Sequence, residues 1–246
     1  MSGKLLKIGD FTVTSGFRME KIPASRLVIQ TINAYSWTIA ERLQVFKQAL
    51  LESDVLLPDG VSIVLAARLL TGQRIKKMAG ADIHRSLLGL LQASGGSCFY
   101  LGASGETLSK IKNRINTEYP SVRIASYSPP FKRTFTEEEN DRMCEAVNIF
   151  APDVLFIGMT APKQELWVYA NKERLQAKVI CTVGAVFDFY AGTQKRPSPR
   201  MQRLGLEWFG RLLKNPRRLW KRYLIFNFVF LYQIFALWKS KRRLHR

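Results

Sequence analysis

The chain has little of what holds a metal ion. Its 246 residues include two histidines, His84 and His245, and three cysteines far apart in sequence, so the spaced Cys and His ligands of a zinc site are missing. No Asp-x-Asp occurs anywhere, which removes the usual carboxylate pair for holding a divalent ion on a diphosphate. Cys98, Cys144 and Cys181 are odd in number and set in apolar segments; they form no disulfide framework and suit a reducing compartment. The chain contains neither G-x-G-x-x-G nor a Walker A loop. Near the N-terminus Lys4 and Lys7 precede no apolar stretch of useful length, so no signal peptide is expected. No internal repeat or low-complexity block is evident. No cofactor is expected.

Acids are scarce as well, 19 against 38 Lys and Arg, and the deficit is local. Between Lys195 and Arg246 lie fifteen basic residues and one acid, Glu207, so +14 of the net +19 sits in the last fifth of the chain. That segment needs an anionic partner: phospholipid, nucleic acid or a phosphate-bearing substrate.

The hydrophobic content of 47% excludes global disorder. The length suits one large α/β domain with an appendage, or two small domains. Residues 1–25 read as a small β-rich segment punctuated by Gly9, Gly16 and Pro23. Arg26–Ile32 reads as a buried strand, and Trp37–Leu51 as one helix, with Ile39, Leu43, Phe46 and Leu50 at helical spacing. Asp54–Leu57 is a short strand before a helix over Val61–Leu70, which Gly72 ends. Asp82 is placed as the N-cap of the next helix, which runs through Leu91. Strands at Cys98–Leu101, Val122–Ala125, Val154–Ile157 and Val179–Val183 alternate with helices at Thr107–Glu118, from Thr136 onward, and at Pro162–Leu175. Such alternation predicts an α/β fold, a Rossmann-like parallel sheet whose ligands gather past the carboxyl ends of the strands.

Three stretches sit at that edge besides Pro58-Asp59-Gly60. Pro58 and Gly60 make a tight turn that exposes Asp59, either as the cap of the following helix or as a working carboxylate. Gly102-Ala103-Ser104-Gly105 lies where a strand gives way to a helix, so it is either a plain turn or a phosphate contact. Gln164, in the first turn after Pro162, is either solvated or a partner for sugar hydroxyls or a diphosphate. Asp188, among aromatics after a buried strand, is either a structural acceptor or a ligand-reading group. Lys195 and Arg196 follow, where they could face a diphosphate.

From Pro197 the character changes. Pro197-Ser198-Pro199 reads as a linker, Met201–Leu213 as an amphipathic helix, and Asn215-Pro216 as the start of another. This divides the chain into a core, 1–196, and a basic, amphipathic helical membrane-associating appendage, 197–246. Tyr223–Trp238 holds sixteen residues without a charge. As a helix it is about 24 Å long, short of the roughly 30 Å hydrocarbon core. With Trp220, Tyr223, Tyr232 and Trp238 toward its ends it suits a helix lying in the interface among anionic headgroups. A spanning or hairpin anchor and an oligomer-forming helix are the alternatives. Nucleic acid ranks lower, because the contiguous apolar run is unlike a solvated basic groove.

Taken in order, Thr31-Ile32-Asn33-Ala34, Pro58-Asp59-Gly60-Val61-Ser62, Ala79-Gly80-Ala81-Asp82, Phe99-Tyr100-Leu101-Gly102, Gly158 with Pro162-Lys163-Gln164-Glu165, and Gly184 through Gly192 ending in Lys195-Arg196-Pro197 resemble the WecG/TagA/CpsF glycosyltransferases, family 26. The match runs from about residue 8 to 225. The resemblance implies an inverting, metal-independent enzyme of cell-surface polysaccharide biosynthesis. It would move a sugar, N-acetylmannosamine-type by analogy, from a UDP-sugar to a polyprenyl-diphosphate-linked acceptor sugar. It would work at the cytoplasmic face of the plasma membrane, as a peripheral protein. Carried over by position, Asp59 would be the general base, Thr31 and Asn33 would line its pocket, Gln164 would contact donor or acceptor, and Asp188 would help read the nucleotide. Where relatives carry Arg this chain has Lys77, which keeps the charge and loses bidentate phosphate recognition. Loss of UDP without a metal needs fixed cations; Lys77, Arg211, Arg217, Arg218 and Arg222 are candidates, with Lys195, Arg196 and the turn at Gly102 and Gly105 nearby. The implied partners are the two substrates and an anionic membrane surface met through 197–246. No nucleic acid is expected, and a homo-oligomer is left open. The rival readings are a Rossmann oxidoreductase, weakened by the missing dinucleotide fingerprint, and a non-catalytic membrane or nucleic-acid adaptor.

Overall fold

The computed structural model describes residues 1–244, apart from the side chains of Pro199, Arg203 and Leu244; of the tail's basic residues, Arg246 and the Arg203 side chain lie outside the described residues. The chain opens with a hairpin, β1 (Ser2–Ile8) and β2 (Phe11–Arg18), turned by Gly9 at φ +57. Then follow β3 (Leu27–Ile32), α1 (Ala34–Ala40), α2 (Gln44–Leu51), β4 (Val55–Pro58) and α3 (Val61–Thr71). The middle of the chain gives α4 (Gly80–Ser94), β5 (Ser97–Gly102), α5 (Gly105–Glu118), β6 (Arg123–Tyr127) and α6 (Glu137–Phe150). The units β7 (Val154–Gly158), α7 (Lys163–Asn171), β8 (Val179–Thr182) and α8 (Val186–Tyr190) complete the core. The tail is helical: α9 (Pro199–Arg203), α10 (Glu207–Lys214), α11 (Pro216–Trp220) and α12 (Phe226–Leu244), with a π-helical turn, Lys221–Ile225, joining the last two.

Six strands form one parallel sheet in the order β4-β3-β8-β7-β5-β6. This is the expected α/β, Rossmann-like core. Its strands alternate strictly between two apolar faces. Ile29, Leu57, Tyr100, Phe156 and Cys181 face one cluster with α4, α5 and α8. Val28, Phe99, Leu155 and Ile180 face another with α6 and α7. Burial on both faces is why these strands read as unbroken apolar runs, as parallel strands do. A third cluster, at the β3-β4 end, joins the hairpin to α1, α2, α3 and α12.

Three expected elements need correction. The helix over Trp37–Leu51 is two helices, broken between Ala40 and Gln44. Trp37 and Phe46 are both fully buried in the same cluster. Nine residues apart, they would point to opposite sides of one continuous helix at 100° per residue. Met201–Leu213 is likewise split into α9 and α10, at Gly205 with φ +74. A side chain at Gly205 would meet the Val61 side chain at 3.0 Å, so the tail lies tight against the start of α3. Asp82 is not the N-cap of α4: it stands at the third helical position, and its Oδ2 accepts from the backbone N–H of the cap, Ala79, at 3.0 Å.

From Pro216 to Arg243 the tail is one continuous helix of 28 residues, by length and composition apolar enough to cross a membrane. The sixteen-residue run is therefore part of a longer rod than sequence suggested. Its two sides differ. Phe230 and Ile234 are buried with Trp37 and Ile63 in the third cluster, and Thr38 donates to the Phe226 carbonyl at 3.3 Å. Phe228, Leu231, Tyr232 and Phe235, at helical spacing on another side, are exposed.

Replacing Phe230 with Ala should lower the unfolding free energy in urea by about 3–5 kcal/mol. Phe228→Ala, which removes an exposed ring, should change it by less than about 0.5 kcal/mol.

Candidate functional site

The ends of all six sheet strands and the tail line one large cavity of 1910 Å³. Its wall holds twelve of the fourteen residues singled out above: Thr31, Asn33, Asp59 and Gln164; Lys77, Gly102, Gly105 and Asp188; and Arg196, Arg211, Arg218 and Arg222. Lys195 and Arg217 are exposed and lie outside that wall; the Lys195 carbonyl instead accepts from Lys214 Nζ at 2.9 Å.

Backbone bonds fix the turn that carries Asp59. Its N–H donates to the Ile32 carbonyl at 2.9 Å, tying the end of β4 to the end of β3. The Pro58 carbonyl accepts from Met78 N at 2.9 Å, which brings the neighbouring Lys77 to the same place. The N-cap of α3 is Gly60, with φ +93 and no side-chain bond. A residue at that φ is almost always glycine, and the Asp59 carboxylate is left free of capping. Asn33, the N-cap of α1, accepts at its Oδ1 from Ser36 N at 3.1 Å. Burial pushes the Asp59 carboxyl above its usual range, and Glu207 adds to this; Lys77, Arg211 and Asn33 pull the other way. The net effect is upward, toward the proton affinity a general base needs.

The tail's single acid sits among these cations. Glu207 accepts from Arg196 at 3.0 Å (Nε) and 3.2 Å (Nη2), a two-pronged pair, and Lys77 Nζ lies 3.8 Å away. Arg211, one turn after Glu207 on α10, stacks its guanidinium 5.2 Å from the Phe189 ring centroid. Arg222 covers Tyr35 at 4.4 Å. Sequence reasoning counted Glu207 only as one negative charge. Only the break at Gly205 aims it inward.

The turn after β5 is shaped by a close approach: a Cβ on Gly102 would fall 2.6 Å from the Gly158 carbonyl oxygen. Ser104 caps α5, accepting from Thr107 N at 3.2 Å. Around Gly105 there is open space. Asp188 is engaged locally, its Oδ2 accepting from Gln194 Nε2 at 3.1 Å and its Oδ1 from Thr193 Oγ1 at 3.4 Å. The structural-acceptor role is therefore filled, although Asp188 also lines the cavity. Gln164 is buried rather than solvated. Its Oε1 accepts from Met159 N at 3.2 Å and its Nε2 donates to Glu165 Oε1 at 2.7 Å.

Glu165, part of the Pro162-Lys163-Gln164-Glu165 stretch, is the residue to which the sequence reading gave no role. It is 1% exposed, lines the cavity, and its Oε2 has no hydrogen-bond partner among the described residues. The available signal was spacing: Gln164 and Glu165 stand one turn before the apolar Trp167 and Val168, hence on a face that is buried. Among the described residues no three His, Cys, Asp or Glu cluster as metal ligands.

Comparison with known proteins gives a consistent answer. A family model described as "Glycosyl transferase WecG/TagA/CpsF family" matches residues 14–244. A Bacillus subtilis (strain 168) protein named N-acetylglucosaminyldiphosphoundecaprenol N-acetyl-beta-D-mannosaminyltransferase is 32% identical over 199 residues, 80% of this chain and 75% of that protein. Proteins of the same name from Bacillus spizizenii and Staphylococcus aureus (strain MW2) are 28% and 24% identical, over 73% and 90% of this chain and 67% and 84% of theirs.

Burial pushes the Glu165 carboxyl from 4.5 up to about 7, against the Gln164 hydrogen bond. A carboxyl raised in the folded state binds its proton more tightly there, so its contribution is complete below pH 4.5 and is lost as pH rises through 7. The loss is on the order of 3 kcal/mol. Unfolding free energies in urea at pH 5 and pH 8 should therefore fall more steeply for the wild type than for Glu165→Gln. Equal falls would show that Glu165 does not titrate in this way.

Proposed function

The chain belongs to the glycosyl transferase WecG/TagA/CpsF family, and from that membership we propose that it moves an N-acetylmannosamine-type sugar from UDP to a polyprenyl-diphosphate-linked acceptor sugar. The chain is a glycosyltransferase of cell-surface polysaccharide biosynthesis. The observation that carries the finer reading is the placement of Asp59, free of capping, in one cavity with Lys77, Arg196, Arg211, Arg218 and Arg222. The cavity exceeds the roughly 300–1,000 Å³ of ordinary small-molecule sites, room enough for a nucleotide sugar and an acceptor headgroup together.

In this reading Asp59 takes the proton of the acceptor hydroxyl as its oxygen attacks the anomeric carbon. The bond from that carbon to the diphosphate breaks, and UDP leaves with the electron pair. One displacement inverts the anomeric centre. The charge growing on UDP is met by fixed cations, which act strongly in a site that excludes water. No divalent ion is required. The diphosphate competes with Glu207 for Arg196 and Lys77, so binding and a shift of α10 go together. Thr31 and Asn33 line the wall beside the base, and Gln164 is held rigid at the start of α7, just past β7 on the same edge of the sheet. Asp188, on the same cavity wall, helps read the nucleotide.

The acceptor is embedded in lipid, which supports membrane association. The exposed side of α12, with Phe228, Leu231, Tyr232 and Phe235, and the basic residues that follow suit an interfacial helix docked on the core by Phe230 and Ile234. We place the protein on the cytoplasmic face as a peripheral protein, with 197–246 as its membrane-contacting appendage.

The test is UDP release from a panel of UDP-sugars with a polyprenyl-diphosphate-linked GlcNAc analogue. Asp59→Asn should lose roughly 10²–10⁴-fold in turnover while still binding UDP, and EDTA should leave the wild type unaffected. Near-normal turnover of the variant would remove Asp59 as the base; strong inhibition by EDTA would contradict the metal-free route.

A further inference from the structure

The most unusual side chain in the cavity wall is Glu165. A carboxyl that is 1% exposed with one oxygen unpartnered carries a desolvation cost that the Gln164 hydrogen bond and the charge of Arg222 offset only in part. Buried polar groups are otherwise almost always bonded. The other oxygen is fully assigned. Met159 N fixes Gln164 Oε1, this fixes which end of the Gln164 amide is the donor, and that donor holds Glu165 Oε1 at 2.7 Å. The relay starts at the backbone just past β7 and leaves Oε2 as the one undirected atom.

We propose that Glu165 reads a hydroxyl of the transferred sugar, its Oε2 bonding that hydroxyl when the nucleotide sugar is bound. This rests on the UDP-sugar reading given above. Three features support it. Glu165 belongs to the same wall as Asp59 and the cationic cluster. Its rotamer is held in advance by Gln164, so ordering it on binding costs little. With burial lifting its carboxyl to about 7, it is part protonated and part ionised near neutral pH. A hydroxyl both donates and accepts, so it satisfies either form, whereas an amide N–H satisfies only the ionised one. Gln164 thereby becomes a positioning residue that acts through Glu165. A site built to bond a substrate hydroxyl rejects analogues that lack it far better than an apolar wall does.

Glu165→Gln is the informative variant. The Gln164 donor requires an oxygen facing it, which forces the new amide nitrogen onto the Oε2 side and replaces a charge-assisted acceptor with a neutral donor. Calorimetric titration of the full chain with UDP and with a UDP-N-acetylhexosamine, without acceptor, gives the readout. UDP should bind wild type and variant alike, and the UDP-sugar should bind the variant roughly tenfold more weakly. Against the wild type, one monodeoxy UDP-sugar should bind roughly 10- to 100-fold more weakly than its parent, and that penalty should shrink in the variant. Equal binding of UDP-sugar to both proteins, parallel loss of UDP and UDP-sugar, or indifference of the wild type to every deoxy analogue overturns the proposal. The last arm needs no variant and decides the matter even if Glu165→Gln fails to fold. A wild type that binds neither UDP nor UDP-sugar would remove the functional reading itself, an outcome separate from a failure confined to Glu165.

Discussion

Asp59 stands between opposing fields: burial and Glu207 hold its proton on, while Lys77, Arg211 and Asn33 draw it off. The rest of the molecule can be understood as what maintains that balance. The β3-β4 backbone bond sets the turn, Gly60 starts α3 so that the carboxylate need not, and the contact of Gly205 with Val61 brings α10 over it. Loss of any of these would displace a charge from its place around Asp59. At the low effective dielectric of a partly buried site such a move changes a carboxyl's proton affinity markedly.

The tail serves two surfaces at once. One side of α12 completes a core cluster around Trp37, and another leaves large apolar side chains outside. A helix with both properties joins the position of the cavity's cationic wall to whatever covers the exposed side. Coupling of this kind needs no long-range pathway, because Arg211, Arg218 and Arg222 sit on the same run of helices. The ion pairs of Glu207 with Arg196 and Lys77 make the unliganded arrangement self-satisfied. In the proposed function, an incoming diphosphate has to displace Glu207 from these cations.

Much of this was legible in the amino-acid order. Apolar runs punctuated by Gly, Pro and Asp turns declared the parallel sheet, and the strand-to-turn stretches located its carboxyl edge; twelve of the fourteen chosen residues line one cavity. What escaped was everything set by tertiary packing. The breaks at Glu41–Leu43 and at Gly205 arise because Trp37 and Phe46 share a core and Gly205 abuts Val61, facts that no local period carries. The roles of Glu165 and Glu207 are of the same kind: their chemistry depends on burial and on cations distant in sequence. Lys195 and Arg217 illustrate the converse, since charge and proximity in sequence placed them near the site while in the fold both are exposed outside the cavity wall.

The account stands most directly on the electrostatic link between Glu207 and Asp59. The acidic limb of the pH dependence of kcat/KM reports the proton affinity of the free enzyme's base. For the wild type that limb should lie above the 3.8 of an ordinary aspartate, and Glu207→Gln should move it to lower pH, because a like charge is removed while Lys77 and Arg196 are released. A limb that stays in place in the variant, or moves to higher pH, would contradict the account.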